Sequence, residues 1–182
     1  MGHLYGGSQF IGVQKGAACN YDVSLDILHV DLENDVLCGY LHVTGLTTLP
    51  PKITTYFEGE IIGRKYSFLT RKWLADFSVD SKHWKRFPSF APFADTFNDD
   101  DFSYDSVDQD FVYMRWKEKF LVPNHHVNSI DGASYAGFYY ICYQRSTERI
   151  NGFYYCRNNI EWFQELVLSH VPQRHFARFE FR

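Results

Sequence analysis

The sequence predicts an all-β fold: an antiparallel β-barrel, lipocalin-like in shape, with a short helical insertion around residues 79–97. Segments of alternating apolar and polar residues recur at short intervals with turn residues between them, as in sandwiches and barrels. Aromatic residues make up 19% of the chain and suit the half-buried faces of sheets. With 182 residues, the chain can fill one domain and is too short to expect two.

Residues 1–20, rich in Gly and small polar residues, read as a loose N-terminal arm, and residues 21–182 as a single barrel domain. Val23, Leu25 and Ile27 alternate with polar neighbours, and Leu37, Gly39, Leu41 and Val43 share a face opposite Tyr40 and His42. Ile53, Thr55, Phe57 and Ile61 share another face, opposite Thr54, Glu58 and Glu60. Asp80 is placed to cap a helix with His83, Trp84 and Phe87 on one side, and Phe90, Phe93, Ala94 and Phe97 continue the helical spacing. This insertion is expected to close one end of the barrel. An acidic loop follows, with six Asp between Asp99 and Asp110; Tyr104 stands where an EF-hand needs Gly, so calcium is not expected. The run 138–143 is apolar on both faces, as in a strand covered on both sides, and Asn151-Gly152 reads as the turn region leading to its hairpin partner. Leu166, Leu168 and His170 suggest a later strand, and residues 177–182 alternate to the end of the sequence.

Composition excludes several classes. A formal net charge of −4 argues against nucleic acid as a partner. No apolar run approaches the ~20 residues of a membrane span. The four cysteines show no metal-ligand spacing, and without a signal peptide they are expected to be reduced in the cytosol or nucleus. No metal site and no cofactor is expected. Signatures of hydrolases, nucleotide-binding enzymes and metalloproteases are missing, so no catalytic residue is assigned. His125 and His126 are read as surface residues.

One acid stands out. In the strand from Val112 to Phe120, Arg115, Lys117 and Lys119 form a face that belongs in water. The other face carries Val112, Met114, Trp116 and Phe120, with Glu118 among them. A carboxylate facing a core must meet a cation, accept hydrogen bonds or become protonated. With Tyr139 or Tyr154 supplying hydroxyls, the constellation suits a small cation: a peptide N-terminus, a polyamine or an internal Arg.

The run 113–123 (Tyr-Met-Arg-Trp-Lys-Glu-Lys-Phe-Leu-Val-Pro), followed by 132–140 (Gly-Ala-Ser-Tyr-Ala-Gly-Phe-Tyr-Tyr), resembles the vacuolar import and degradation family. Further matching stretches are Gly45-Leu46-Thr47, 55–60, 68–73 and the closing Glu180-Phe181-Arg182. The resemblance runs from about Ser8 to the end of the chain. It implies an antiparallel barrel and a non-catalytic role: substrate receptor of the glucose-induced-degradation (CTLH) E3 ubiquitin ligase, reading N-terminal proline degrons. By the same resemblance Glu118 would bind the proline amine with Tyr139 as hydroxyl partner, while Ser134 and Gln14 would contact the peptide backbone. Leu41, Val43, Leu46 and Ile53 would line the pocket and its loops, and Tyr135 and Tyr154 would add aromatic wall. The C-terminal Phe179, Glu180, Phe181 and Arg182 would dock on the scaffold subunit of the ligase, and the protein is expected to be a monomer outside that complex. The alternative is a small-ligand barrel for a hydrophobic amine or lipid-like molecule.

Overall fold

A computed structural model describes residues 2–124, 126, 135–159 and 164–172. The alternation closes into an eight-stranded antiparallel barrel in which each strand pairs with its sequence neighbours. The strands are β1 (Gln9–Lys15), β2 (Asn20–Asp31), β3 (Val36–Thr44), β4 (Lys52–Ile61), β5 (Phe111–Leu121), β6 (Phe138–Gln144), β7 (Arg149–Tyr155) and β8 (Glu165–His170). Helix α1 spans Phe77–Trp84, followed by a 3₁₀ turn over Pro88–Phe93.

The expected arm is corrected at its centre, because β1 lies within residues 1–20. It pairs with β2 (Phe10 opposite Leu25) and with β8 (Phe10 opposite His170), so it is the strand that seals the barrel. Inward side chains such as Phe10, Leu25, Leu41, Phe57, Met114, Ile141 and Leu168 form one continuous core. Gly59 also faces inward; a Cβ there would lie 2.7 Å from the Trp116 ring, so the strand keeps its place only without a side chain.

The insertion covers the barrel wall rather than one end. Phe68, Trp84, Phe87, Phe90 and Phe97 pack with Tyr113, Phe138, Tyr140 and Phe153 on the outer faces of β5–β7. Phe68 is its hub, 4.9 Å from Phe90 and 5.2 Å from both Trp84 and Tyr113, ring centre to ring centre. Much of the aromatic content therefore builds a second core outside the barrel, and β6 is covered on both sides as its sequence predicts. Asp76 caps α1, accepting from the Val79 amide at 3.0 Å. Asp80, expected as the cap, is buried inside the helix, where it accepts hydrogen bonds from the Thr70 amide at 2.8 Å and the Tyr140 hydroxyl at 2.7 Å.

The same cover changes the fate of Arg115, expected in water. It is 2% exposed, donating to Glu60 at 3.1 Å and to the Ser67 carbonyl at 2.8 Å. A second departure is local. Phe57 pairs with Glu118 and Tyr56 with Phe120, so Lys119 is an extra residue in β5. This bulge flips the alternation beyond it. Phe120, expected in the core, lies outside and stacks on Tyr56 at 5.0 Å, while Leu121 is buried. Asn151-Gly152 sits within β7, and residues 145–148 make the β6–β7 turn instead, held by Asp110, which accepts from the Ser146 amide at 2.7 Å.

Candidate functional site

Antiparallel succession carries the ends of β1, β3, β5 and β7 to one end of the barrel, and the site gathers there. Glu118 survives on the inner face because the bulge begins one residue after it. It is 7% exposed and accepts a hydrogen bond from the Thr55 hydroxyl, on neighbouring β4, at 2.6 Å. Among the described residues no cation forms an ion pair with it. Arg115, the obvious internal candidate, is spent on Glu60 outside the wall. Burial pushes the Glu118 carboxyl up to about 7, against the opposing pull of the Thr55 hydroxyl and the Lys117 charge.

Tyr139 enters from the inner face of β6, 3% exposed, its ring centre 5.0 Å from that of Tyr154 on β7. Its hydroxyl is held well above the ordinary phenol range by burial, and the nearby Glu118 charge pushes it the same way. It therefore stays a proton donor at any physiological pH. Gln14, on β1, donates to the Tyr139 oxygen at 3.2 Å and also to the Gln164 side-chain oxygen. Its own carbonyl oxygen is buried and makes no hydrogen bond among the described residues. Such an acceptor is costly unless something brings it a donor.

Leu41, Val43 and Ile53 are buried on the inner faces of β3 and β4, and Leu46 packs against the core from the following loop. Tyr154 accepts from the Gly137 amide at 2.9 Å. That approach needs Gly: a Cβ at residue 137 would fall 2.0 Å from the Tyr155 carbonyl oxygen. Tyr135 feels Glu118 too, its hydroxyl shifted upward by burial and then by that charge. The structure thus brings together Glu118, Tyr139, Gln14, Tyr154 and Tyr135. Ser134 and the docking residues Phe179, Glu180, Phe181 and Arg182 lie outside the described residues, as does His125.

Lys117 and Thr55 join the site without having been singled out in the sequence. The Lys117 ammonium donates to the carbonyls of Tyr135 (2.9 Å), Ala136 (3.2 Å), Gly137 (2.9 Å) and Glu118 (3.1 Å). Burial lowers its pKa from the ordinary lysine value. It therefore pins the segment before β6 to the strand that carries Glu118. Thr55 carries the same signal as Glu118, a polar residue on an apolar face. Nothing in the spacing reveals Lys117, since its partners are backbone oxygens.

The fold and site define a closed barrel with a buried carboxylate and buried hydroxyls gathered at one end. The family model for "Vacuolar import and degradation protein" matches residues 3–171, and the chain belongs to that family. It is 53% identical over 180 residues to the "Glucose-induced degradation protein 4 homolog" of Mus musculus, covering 98% of this chain and 82% of that one. It is 36% identical over 194 residues to the "GID complex substrate-recognition subunit 4" of Schizosaccharomyces pombe, covering 98% and 97%. The Saccharomyces cerevisiae protein of the same name is 32% identical over 218 residues, covering 88% of this chain and 60% of its own length.

Proposed function

We propose that this protein is a substrate-recognition subunit of the GID ubiquitin ligase, binding the free N-terminus of proteins that begin with proline and presenting them for ubiquitination and proteasomal degradation. The observation that carries this reading is Glu118, a buried carboxylate without an ion-pair partner among the described residues, beside the hydroxyl of Tyr139 and the open acceptor of Gln14. The names of these relatives support the receptor role.

A proline N-terminus supplies what these groups lack. Its ammonium offers two N–H donors to Glu118 and Tyr139, and the first peptide group beyond can bring an N–H to Gln14. Each charge-assisted hydrogen bond contributes ~1.5–3 kcal/mol net. Micromolar binding corresponds to about −8 kcal/mol, so burial of the ring against Leu41, Val43 and Ile53 must add to them. The role is binding, not catalysis: no nucleophile paired with a general base accompanies Glu118 among the described residues.

The test is a titration of a short Pro-initiated peptide, the same peptide acetylated at its N-terminus, and small hydrophobic amines. Binding of the first alone supports the receptor; preference for the free amines would favour a small-ligand barrel. Docking through Phe179, Glu180, Phe181 and Arg182 belongs to the same proposal. Deleting these residues should weaken assembly with the ligase scaffold more than it weakens peptide binding, and normal assembly of a folded truncation would remove them from the interface.

A further inference from the structure

A second cluster lies at the end of the barrel opposite Glu118, where the β6–β7 turn, the end of β8 and the residues before β1 meet. The His3 Nδ1 lies 3.1 Å from Glu148 Oε1, and the His170 Nδ1 lies 3.3 Å from Glu148 Oε2. One ligand atom from each of these residues falls within 4.8 Å of the other two. The two imidazoles stack at 4.1 Å between centres and 25° between planes, presenting the same ring nitrogen to one carboxylate.

The cluster leaves His170 unsatisfied. The His170 side chain is only 4% exposed, and neither of its ring nitrogens makes a hydrogen bond among the described residues; Nδ1 approaches Glu148 outside hydrogen-bond geometry. A buried imidazole always carries at least one N–H, so an unpartnered ring is costly. If both stacked rings were protonated instead, their like charges would repel at close range. A divalent ion removes the repulsion and gives the buried Nδ1 a partner, because it takes neutral imidazoles and a carboxylate together. A tetrahedral zinc site with bonds of ~2.1 Å has ligand atoms about 3.4 Å apart, near the separations already present here.

We propose that His3, Glu148 and His170 form a binding site for a divalent transition-metal ion of the zinc class. Two imidazoles and a carboxylate are a borderline donor set suited to that class and poorly suited to calcium or magnesium. The sequence gives no hint of it, since the ligands are dispersed over nearly the whole chain and none follows a ligand-spacing motif. Its consequence is a cross-link: the ion ties the residues ahead of β1 to the β6–β7 turn and to the last residue of β8, where the barrel is sealed.

The test uses tag-free full-length protein dialysed against zinc chloride and then against metal-free buffer, with bound metal measured by mass spectrometry. One equivalent should remain on the unaltered protein. Cobalt(II) chloride should give visible d–d absorption of low-symmetry four-coordination, and zinc should raise the melting temperature. Glu148→Gln and His3→Asn each alter a side chain that is 40% exposed, so both variants should fold. Each should bind zinc at least tenfold more weakly and lose the shift in melting temperature. If the unaltered protein retains no stoichiometric zinc, or if both folded variants bind it equally well, the cluster is an ion pair only and the proposal fails.

Discussion

The hydroxyl of Thr55 points at the carboxylate of Glu118 from the adjacent strand, 2.6 Å away, and is the one side-chain hydrogen bond that steadies this acid among the described residues. It is too little to offset burial, and the carboxyl stands at about 7. A group poised there changes charge within the range where proteins work.

Peptide affinity should therefore fall on acidification. The ammonium of the ligand stays charged while Glu118 takes up a proton, so lowering the pH from about 7.5 to about 5.5 should weaken binding roughly twentyfold. Calorimetric titration across this range measures it, and a flat profile would mean that Glu118 does not hold the amine. Replacing Thr55 with Val removes a bond that favours the ionised form, so the midpoint of the loss should move to higher pH.

Glu118→Gln keeps the shape and removes the charge. Affinity for a Pro-initiated peptide should drop by ~2–5 kcal/mol, at least about thirtyfold. Stability should move the other way. The folded pKa lies above the unfolded value, so the native state holds a proton that the unfolded chain releases, and wild-type stability falls as pH rises from about 4.5 to about 7. The penalty above that window is about 3 kcal/mol. Melting curves of the two proteins should nearly coincide at low pH and diverge in favour of the Gln variant above neutrality. A variant that melts lower at every pH would reveal a hidden ion pair.

Lys117→Met keeps the aliphatic stem but frees the carbonyls of residues 135–137 from their common partner. Peptide affinity should fall by ~1–3 kcal/mol, and the Glu118 carboxyl, without the Lys117 charge, should shift further upward. Hydrogen exchange at the Gly137 amide should quicken in the empty protein. Unchanged exchange would show that the segment is held by something other than this ammonium.

Phe68→Ala tests the second core. Removing a buried ring at its hub should cost ~3–5 kcal/mol in denaturant unfolding. Peptide binding per folded molecule should stay within about twofold, because the hub lies outside the barrel wall and the site inside it. A matching loss of affinity would mean that the cover also shapes the pocket.

The contrast between these residues explains how much was legible in the sequence. Strands such as β2 and β4 announce themselves through alternation, and Glu118 through its breach of alternation. β1 escapes because Gly12 and its flanking glycines thin the pattern. Arg115 and Phe120 escape for different reasons. A distant insertion buries the first, and a single extra residue at Lys119 turns the second outward; neither event leaves a periodic trace. At the site, charge and hydroxyls on an apolar face are visible, whereas contacts through backbone oxygens are not.

The seal between β1 and β8 bears on the order of events during synthesis. Gln14 sits on the first strand, yet its partners Tyr139 and Gln164 are encoded more than a hundred residues later. Growing from the ribosome, the chain completes neither its sheet nor its candidate site until β8 has emerged. Until then β1 and β7 each present an unpaired edge, a hazard that chaperones guard against. A half-made barrel therefore holds only part of the candidate site, and on the proposed function the competence to bind a client would arrive at once, with β8.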